Sequence, residues 1–249
     1  MYNPVSTYRL QFNKDFTLND AREWVEYFHL LGAGTIYANP IFCAVPGSKH
    51  GYDVTAPYAI NPETGSEEDL KKLTKNLKNR RIGWLQDIVP NHMAFSHHNP
   101  WIRDVLEKGR NSEYTHFFDI NREHRYFRGK LMAPFLNKNI SQIIDNQELK
   151  LNWKEGTFFL ASSDNLWPVR FESFLWIMEQ NLHSLPASLQ LIFDRFRPDE
   201  ATPDDLFLNG EWERFKNELH KLANTSREVQ AFFDRLAGEV SQKPHALKA

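Results

Sequence analysis

Apolar positions alternate near the start of the chain. Tyr8, Leu10 and Phe12 share one face of Ser6 to Phe12, a period of two that predicts a first strand. The period then lengthens. Ala21, Trp24, Val25, Phe28 and Leu31 recur at helical spacing, Thr17 and Asp20 resemble a capping box ahead of them, and Gly32 is placed to stop the helix. Thr35 to Ala38 predicts a second short strand. Residues 39–65, punctuated by Pro40, Pro46, Gly47, Gly51, Pro57 and Pro62, read as a long loop. Ser66 is positioned to cap a second helix with Leu70, Leu73 and Leu77 on one side. Its basic last turn (Lys75, Lys78, Arg80, Arg81) complements the helix dipole. The stretch GWLQDIVPNH, Gly83 to His92, then places Trp84, Leu85, Ile88 and Val89 in a short apolar run. Such a run predicts a buried parallel strand, ended by Pro90, which cannot donate to a ladder. Strand, helix, strand, helix, strand in this order predicts parallel pairing through crossovers.

After His92 the rhythm changes. A short helix is predicted at Trp101 to Leu106, and Leu149 to Trp153 with Thr157 to Ala161 predict a hairpin joined by Lys154, Glu155 and Gly156. From Phe171 onward the pattern is helical. Ser226 caps a helix in which Val229, Phe232, Phe233, Leu236 and Val240 share a face. The reading is α/β: residues 1–95 as three β/α units of a barrel, 96–170 as an inserted lobe, 171–249 as a helical region. Only three parallel strands are convincing, where a closed barrel of this kind needs eight.

Composition narrows the function classes. The 249 residues are 41% hydrophobic, with 19 Phe and 7 Trp, so a sizeable core is expected. Thirty Lys and Arg against 32 Asp and Glu leave a net charge of -2, with no basic excess to support nucleic-acid binding. The single cysteine, Cys43, excludes an intrachain disulfide and suits a cytoplasmic protein. No run reaches the ~18 apolar residues of a membrane span and no leader opens the chain, so no membrane partner is expected.

Two constellations carry candidate chemistry. Asp87 sits inside the apolar third strand, where a carboxylate is costly unless paired; the alternatives are a functional carboxylate and one bonded to neighbouring backbone. Asn91 and His92 follow at the carboxyl end of the strand, where α/β barrels place their chemistry. In GSKHGYDV, Gly47 and Gly51 allow bends that bring His50, Tyr52 and Asp53 together. An aromatic ring flanked by imidazole and carboxylate suits sugar recognition, although Gly-Tyr-Asp is also an ordinary turn. A metal site built from His92, His97, His98, His116 and Asp87 lacks ligand spacing such as HExxH.

Together, DIVPNH and HGYDV resemble the α-amylase superfamily of glycoside hydrolases and transglycosylases. STYRLQFNKDFT, IYANPIF, PGSKHGYDVTAPYAINPETG and NPWIRDVLEKGRNSEYTHFFDI are similar, within it, to the maltooligosyl trehalose synthases. Ala56 stands where that pattern has Asp, and Gln86 where it has an apolar residue. The resemblance implies a sugar-stacking role for Tyr52, hydroxyl contacts for His92, and a supporting role for Asp87 beside an arginine near the nucleophile. It also implies loop-holding roles for Asn91, His50 and Asp53. Gln11 faces either the sugar or the fold. The implied reaction is an intramolecular transglucosylation on a maltooligosaccharide or α-1,4-glucan, with two carboxylates and no cofactor. No credible nucleophile follows Ile120, since RFRPD (Arg195 to Asp199) lacks the apolar strand expected before it. The expectation is therefore an amino-terminal portion that is inactive alone, binds glucan without turnover, or works beside a second chain. In it Asp87 would lack its arginine.

Overall fold

The computed structural model describes residues 3–121, 123–126, 138–162, 165–196, 207 and 210–242. The chain divides into two compact units, Met1–Pro100 and Trp101–Ala249.

The strands of the first unit are β1 (Thr7–Leu10), β2 (Thr35–Ala38), β3 (Phe42–Ala44), β4 (Val54–Ile60) and β5 (Gly83–Gln86). β1, β2 and β5 form a parallel sheet in the order β1-β2-β5. Register aligns Tyr8 with Ile36 and Trp84, and Arg9 with Tyr37 and Leu85. Side chains alternate across a strand, so these two rows stand on opposite faces of the sheet. One face packs on α1 (Leu18–Glu23), α2 (Val25–Leu30) and α3 (Glu67–Asn79), where Leu10, Ile36 and Ala38 share a core with Leu18, Phe28 and Leu73. The other face carries Arg9, Tyr37 and the exposed Leu85.

Both expected N-caps form. Thr17 and Asp20 close a capping box on α1, and Ser66 with Asp69 closes one on α3. The expected single helix after Thr17 is instead two short ones. Trp24, with ψ near 3°, interrupts the ladder between α1 and α2 and is half exposed together with Leu31. Gly32 ends α2 with φ at +80°, as its position suggests. The expected loop 39–65 contains the antiparallel pair β3–β4, whose irregular register around Cys43 obscures any alternation in the sequence. The third parallel strand ends at Gln86 rather than at Pro90, and Ile88 is exposed.

The second unit begins within α4 (Pro100–Lys108) and continues through α5 (Ile140–Asp145) to an antiparallel sheet, β6 (Lys150–Lys154), β7 (Thr157–Ser162) and β8 (Asn165–Pro168). The expected hairpin is β6–β7. Its turn is tighter than expected, because Lys154 pairs with Thr157 and only Glu155 and Gly156 lie between. Both have positive φ (54° and 77°), the geometry that matches strand twist in two-residue hairpins. β8 was not foreseen. Helices α6 (Phe171–Glu179), α7 (Ala187–Phe196), α8 (Glu211–Thr225) and α9 (Arg227–Ser241) follow, with Ser226 capping α9 as expected. Leu151 and Phe158 from the sheet join Phe174, Trp212, Phe215 and Phe233 from the helices in one core. Residues expected as an inserted lobe and as a helical region thus pack together.

One carboxylate is sealed inside this second unit. Glu107, 7% exposed, accepts from Trp212 Nε1 (3.1 Å) and receives both carboxylate bonds of Lys216 Nζ (2.9 Å each). Glu213 bridges Lys216 (3.2 Å) and Lys108 (3.1 Å), and Lys108 returns to Asp104 at 2.5 Å. Burial pushes the Glu107 carboxyl up, against the pull of Lys216. Among the described residues, no helix is long and apolar enough to cross a membrane.

Candidate functional site

Three stretches meet at the carboxyl ends of the parallel strands. Asp87 follows β5 directly, and its N–H donates to the Ala38 carbonyl (2.9 Å), so it keeps the alternation and emerges on the face of Tyr37 and Arg9. Its Oδ2 accepts from the Tyr37 hydroxyl at 3.0 Å and from the Tyr52 hydroxyl at 2.6 Å. Arg9 Nη2 donates to the Tyr52 oxygen at 3.3 Å, and its guanidinium lies 5.4 Å from the centre of the Tyr37 ring, within cation–π reach. The hydrogen bond to Asp87, reinforced by partial burial and the carboxylate charge, raises both phenols above their usual range, while Arg9 pulls the other way.

Asp87 is thus not left without partners, although no arginine bonds it among the described residues. Two phenols and a nearby guanidinium surround it, because register places Arg9 beside Tyr37 and the loop before β4 delivers Tyr52. Nor is the side chain bonded to neighbouring backbone, the other possibility open from the sequence.

That loop is braced at several points. Asn39, fully buried, donates Nδ2 to the carbonyls of Phe12 (3.0 Å) and His50 (2.9 Å) and accepts the Phe12 N–H (2.7 Å). Gln11 Nε2 donates to the Lys49 carbonyl at 2.7 Å, a bracing contact to the loop. The Ser48 hydroxyl bonds the Asp53 carboxylate and accepts the Gly51 N–H. His50 Nδ1 accepts the Tyr52 N–H at 3.0 Å, and the two rings stack 5.9 Å apart. Accepting at Nδ1 leaves that nitrogen without a proton, so the 3.7 Å approach to Asp53 is not an ion pair in this tautomer. Gly51 has φ of +74°, and a Cβ there would lie 2.1 Å from the Pro40 carbonyl oxygen, so no side chain fits. Gln86 Nε2 bridges the carbonyls of Asn39 (2.9 Å) and Asp87 (2.8 Å), while its buried Oε1 has no hydrogen-bond partner.

The structure thus gathers Asp87, Tyr52, His50 and Asp53. Asn91 and His92 are exposed, and their side chains bond each other (3.2 Å) outside this network. The backbone just beyond is tied down by Ala94 N–H on the Val54 carbonyl. Sequence reasoning missed Arg9, Tyr37, Asn39 and Ser48. A signal existed for the first two: residues 7–10 and 35–38 are strands of equal length, and parallel alignment of their ends pairs position 9 with 37. Asp199 lies outside the described residues, and Arg195 pairs with Glu218 at 3.0 Å. Among the described residues, no three His, Cys, Asp or Glu side chains are grouped as a metal ion would need.

Comparison with known proteins gives this geometry a context. Over 142 residues the chain is 39% identical to a putative maltooligosyl trehalose synthase of Mycobacterium tuberculosis, covering 54% of this chain and 18% of that protein. Among solved structures, a glycosyltrehalose synthase superposes with a TM-score of 0.63 at 37% identity, covering 71% of this chain and 23% of the other. The maltooligosyltrehalose synthase of Arthrobacter ramosus gives 0.60 at 35% identity, covering 68% and 22%. The chain therefore spans about a fifth of the length of these relatives. The model of the alpha-amylase catalytic domain matches residues 16–168, more than half of the chain and the whole of the Asp87 network except Arg9, so the chain belongs to the α-amylase family.

Proposed function

We propose that the cluster around Asp87 is a glucose subsite for a maltooligosaccharide or α-1,4-glucan. The observation that carries this reading is the state of Tyr52. Its hydroxyl is engaged by Asp87 and Arg9 at the carboxyl ends of parallel strands, which leaves the ring as the surface offered to a ligand. A pyranose presents an apolar face to such a ring, and its hydroxyls suit His50 and Asp53 beside it, with His92 and Asn91 taken as further hydroxyl partners from the same strand end. On this reading the three strands belong to a (β/α)8 barrel, and the face bearing Arg9 and Tyr37 is the barrel interior.

The reaction served is, on this reading, an intramolecular transglucosylation that turns a terminal α-1,4 link into an α,α-1,1 link, in keeping with the similarity to maltooligosyl trehalose synthases. A retaining mechanism needs a carboxylate nucleophile and a carboxylic acid/base about 5–5.5 Å apart. Asp87 is engaged by phenols and Asp53 by Ser48; neither has the free carboxylate that a nucleophile needs. On this reading the bond-breaking pair comes from outside these residues, in a longer chain or a second one, and these 249 residues alone bind glucan without turning it over.

Titrating the purified chain with maltopentaose, with product analysis for a trehalose-terminated oligosaccharide, tests both halves of this reading. Saturable binding without product is the expected result. No binding would remove the subsite, and product above a protein-free control would show that the catalytic carboxylates lie within the chain.

A further inference from the structure

Arg9 has no part in the subsite as the motifs describe it, yet its position is specific. It lies on β1, one strand from Tyr37 and two from the line of Asp87, on the face of the sheet away from the helices. We infer that Arg9 is a positioning residue of the glucose subsite. It fixes Tyr52 through the phenol oxygen, so that the tyrosine meets its ligand with the ring face and not with the hydroxyl. This deepens the reading above and rests on it.

Hydrogen-bond accounting comes first. A phenol has one proton to donate. Tyr52 gives that proton to Asp87 at 2.6 Å, and its oxygen accepts from Arg9 at 3.3 Å. Tyr37 gives its proton to the same Asp87 oxygen at 3.0 Å. Neither phenol keeps a proton for a sugar hydroxyl, and Tyr52 is held from two directions at its tip. His50 holds it at its backbone N–H and along its ring. Two anchors at the tip and one at the base leave the ring plane little freedom.

Charge gives an independent reason for a cation at this place. A neutral sugar laid over the cluster removes it from water, and an unbalanced carboxylate loses much when desolvated. Arg9 and Asp87 balance each other across the two phenols. Without Arg9, the covered site would hold a net negative charge, and Tyr52 could swing about its bond to Asp87. The nearby groups do not replace it: Asp53 is anionic, and His50 accepts through the nitrogen facing Tyr52.

The test uses the 249-residue chain with Arg9→Met, Tyr52→Phe and the double variant. Its readouts are maltopentaose affinity and ultraviolet titration of the phenols, assigned with Tyr37→Phe. If Arg9 acts through the Tyr52 hydroxyl, each single variant weakens binding about five-fold, the worth of one hydrogen bond. The double variant is then no weaker than either single one. Losses that multiply in the double variant would show Arg9 acting on the sugar directly and would overturn the inference. The titration does not depend on sugar. Arg9→Met should move Tyr52 and Tyr37 ionisation to higher pH, because the cation that favours the phenolates is gone. An unmoved Tyr52 titration overturns the inference even if maltopentaose binds. If the unaltered chain fails to bind maltopentaose, the subsite reading falls, and with it the role given to Arg9; a shifted titration would then leave only the Arg9–Tyr52 contact.

Discussion

The two units each build a network around one carboxylate, and the networks are chemically alike but physically opposite. In the second unit, Glu107 meets an aromatic N–H from Trp212 and a cation, Lys216, and both oxygens are used. In the first unit, Asp87 meets aromatic hydroxyls and, one bond further out, a guanidinium, and both phenols converge on a single oxygen. Glu107 is closed among helices at 7% exposure, whereas Asp87 stands at the rim of a sheet whose neighbouring residues Leu85 and Ile88 are 44% and 58% exposed. A network that uses both oxygens of its carboxylate and shuts out water holds a fold. One that gathers polar groups on one side and leaves the other open keeps hydrogen-bonding capacity in reach of solvent, as the proposed subsite requires.

The largest expected effect follows from that contrast. Glu107→Ala leaves Trp212 Nε1 and one side of Lys216 without their acceptor in a dry interior. Losing one member of such a buried pair typically costs about 3–5 kcal/mol, so the second unit should lose a large part of its stability in urea titration. Asp87→Asn, in a half-exposed site, should change stability by less than about 1 kcal/mol, while weakening maltopentaose binding at least about ten-fold. Reversed results, a large stability loss at Asp87 with binding intact, would place the structural network in the first unit and undo the distinction.

Two glycines sharpen the comparison at a smaller scale. Gly51 and Gly156 have φ of +74° and +77°, and an added Cβ would meet a carbonyl oxygen at 2.1 Å and 2.0 Å. The obstacle for Gly51 is Pro40, and for Gly156 it is Lys216, the cation of the Glu107 network. Each alanine substitution should cost about 1–3 kcal/mol in strain and displacement. The functional consequence should divide: Gly51→Ala shifts the loop that carries Tyr52 and weakens maltopentaose binding, and Gly156→Ala affects only stability. Equal loss of binding from both would contradict the assignment.

How much of this was legible in the sequence depended on the range of the interaction. Capping boxes were readable because Thr17 with Asp20, and Ser66 as a cap, act within one helical turn. The β6–β7 hairpin was readable because alternation and a Gly turn are local too. The β3–β4 pair was hidden, since bulges around Cys43 break its period and prolines dominate its composition. The end of β5 was misplaced by a pattern argument that treats Ile88 and Val89 as buried. That holds only where a further strand lies alongside, and β5 is the last of the three in its sheet. In the site, Tyr52, His50, Asp53 and Asp87 stood out because they sit in compact motifs. Arg9 and Tyr37 did not, because an exposed-looking residue on a short strand shows its role only once register aligns it with another. Asn39 is a still harder case, since its three bonds reach residues 12 and 50.

The smallest expected effect, a difference in acid sensitivity, follows from pKa directions that agree at the two caps of the first unit and conflict between Glu107 and Glu213 of the second. In the first unit, hydrogen bonds from Thr17 to Asp20, the backbone one foremost, and from Ser66 to Asp69, the hydroxyl one foremost, hold both carboxyls below their usual value of 3.8. A group depressed in the folded state contributes stability that is present above 3.8 and is lost as pH falls through the lower folded value. Removing such a cap typically costs about 1 kcal/mol. In the second unit the directions differ. Burial raises Glu107 from 4.5, so its contribution is greatest at low pH and is lost as pH rises through the folded value. Burial also opposes the charged form of Glu213, but Lys216 and Lys108 outweigh it and lower the group, so its contribution is lost on acidification. These two act in opposite senses as pH falls, whereas the two caps act together. Hydrogen exchange followed by segment, from about pH 6 to about pH 3, should therefore show α1 and α3 losing protection before α4 and α8, after correction for the intrinsic pH dependence of exchange. Thr17→Ala and Ser66→Ala should remove most of the difference, leaving the helices of the first unit weaker at neutral pH but no more acid-sensitive than those of the second. Earlier loss in α4 and α8 would mean that the ion pairs around Glu213 outweigh the relief of protonating Glu107. The sealed network would then be held together by its charges rather than merely tolerating them.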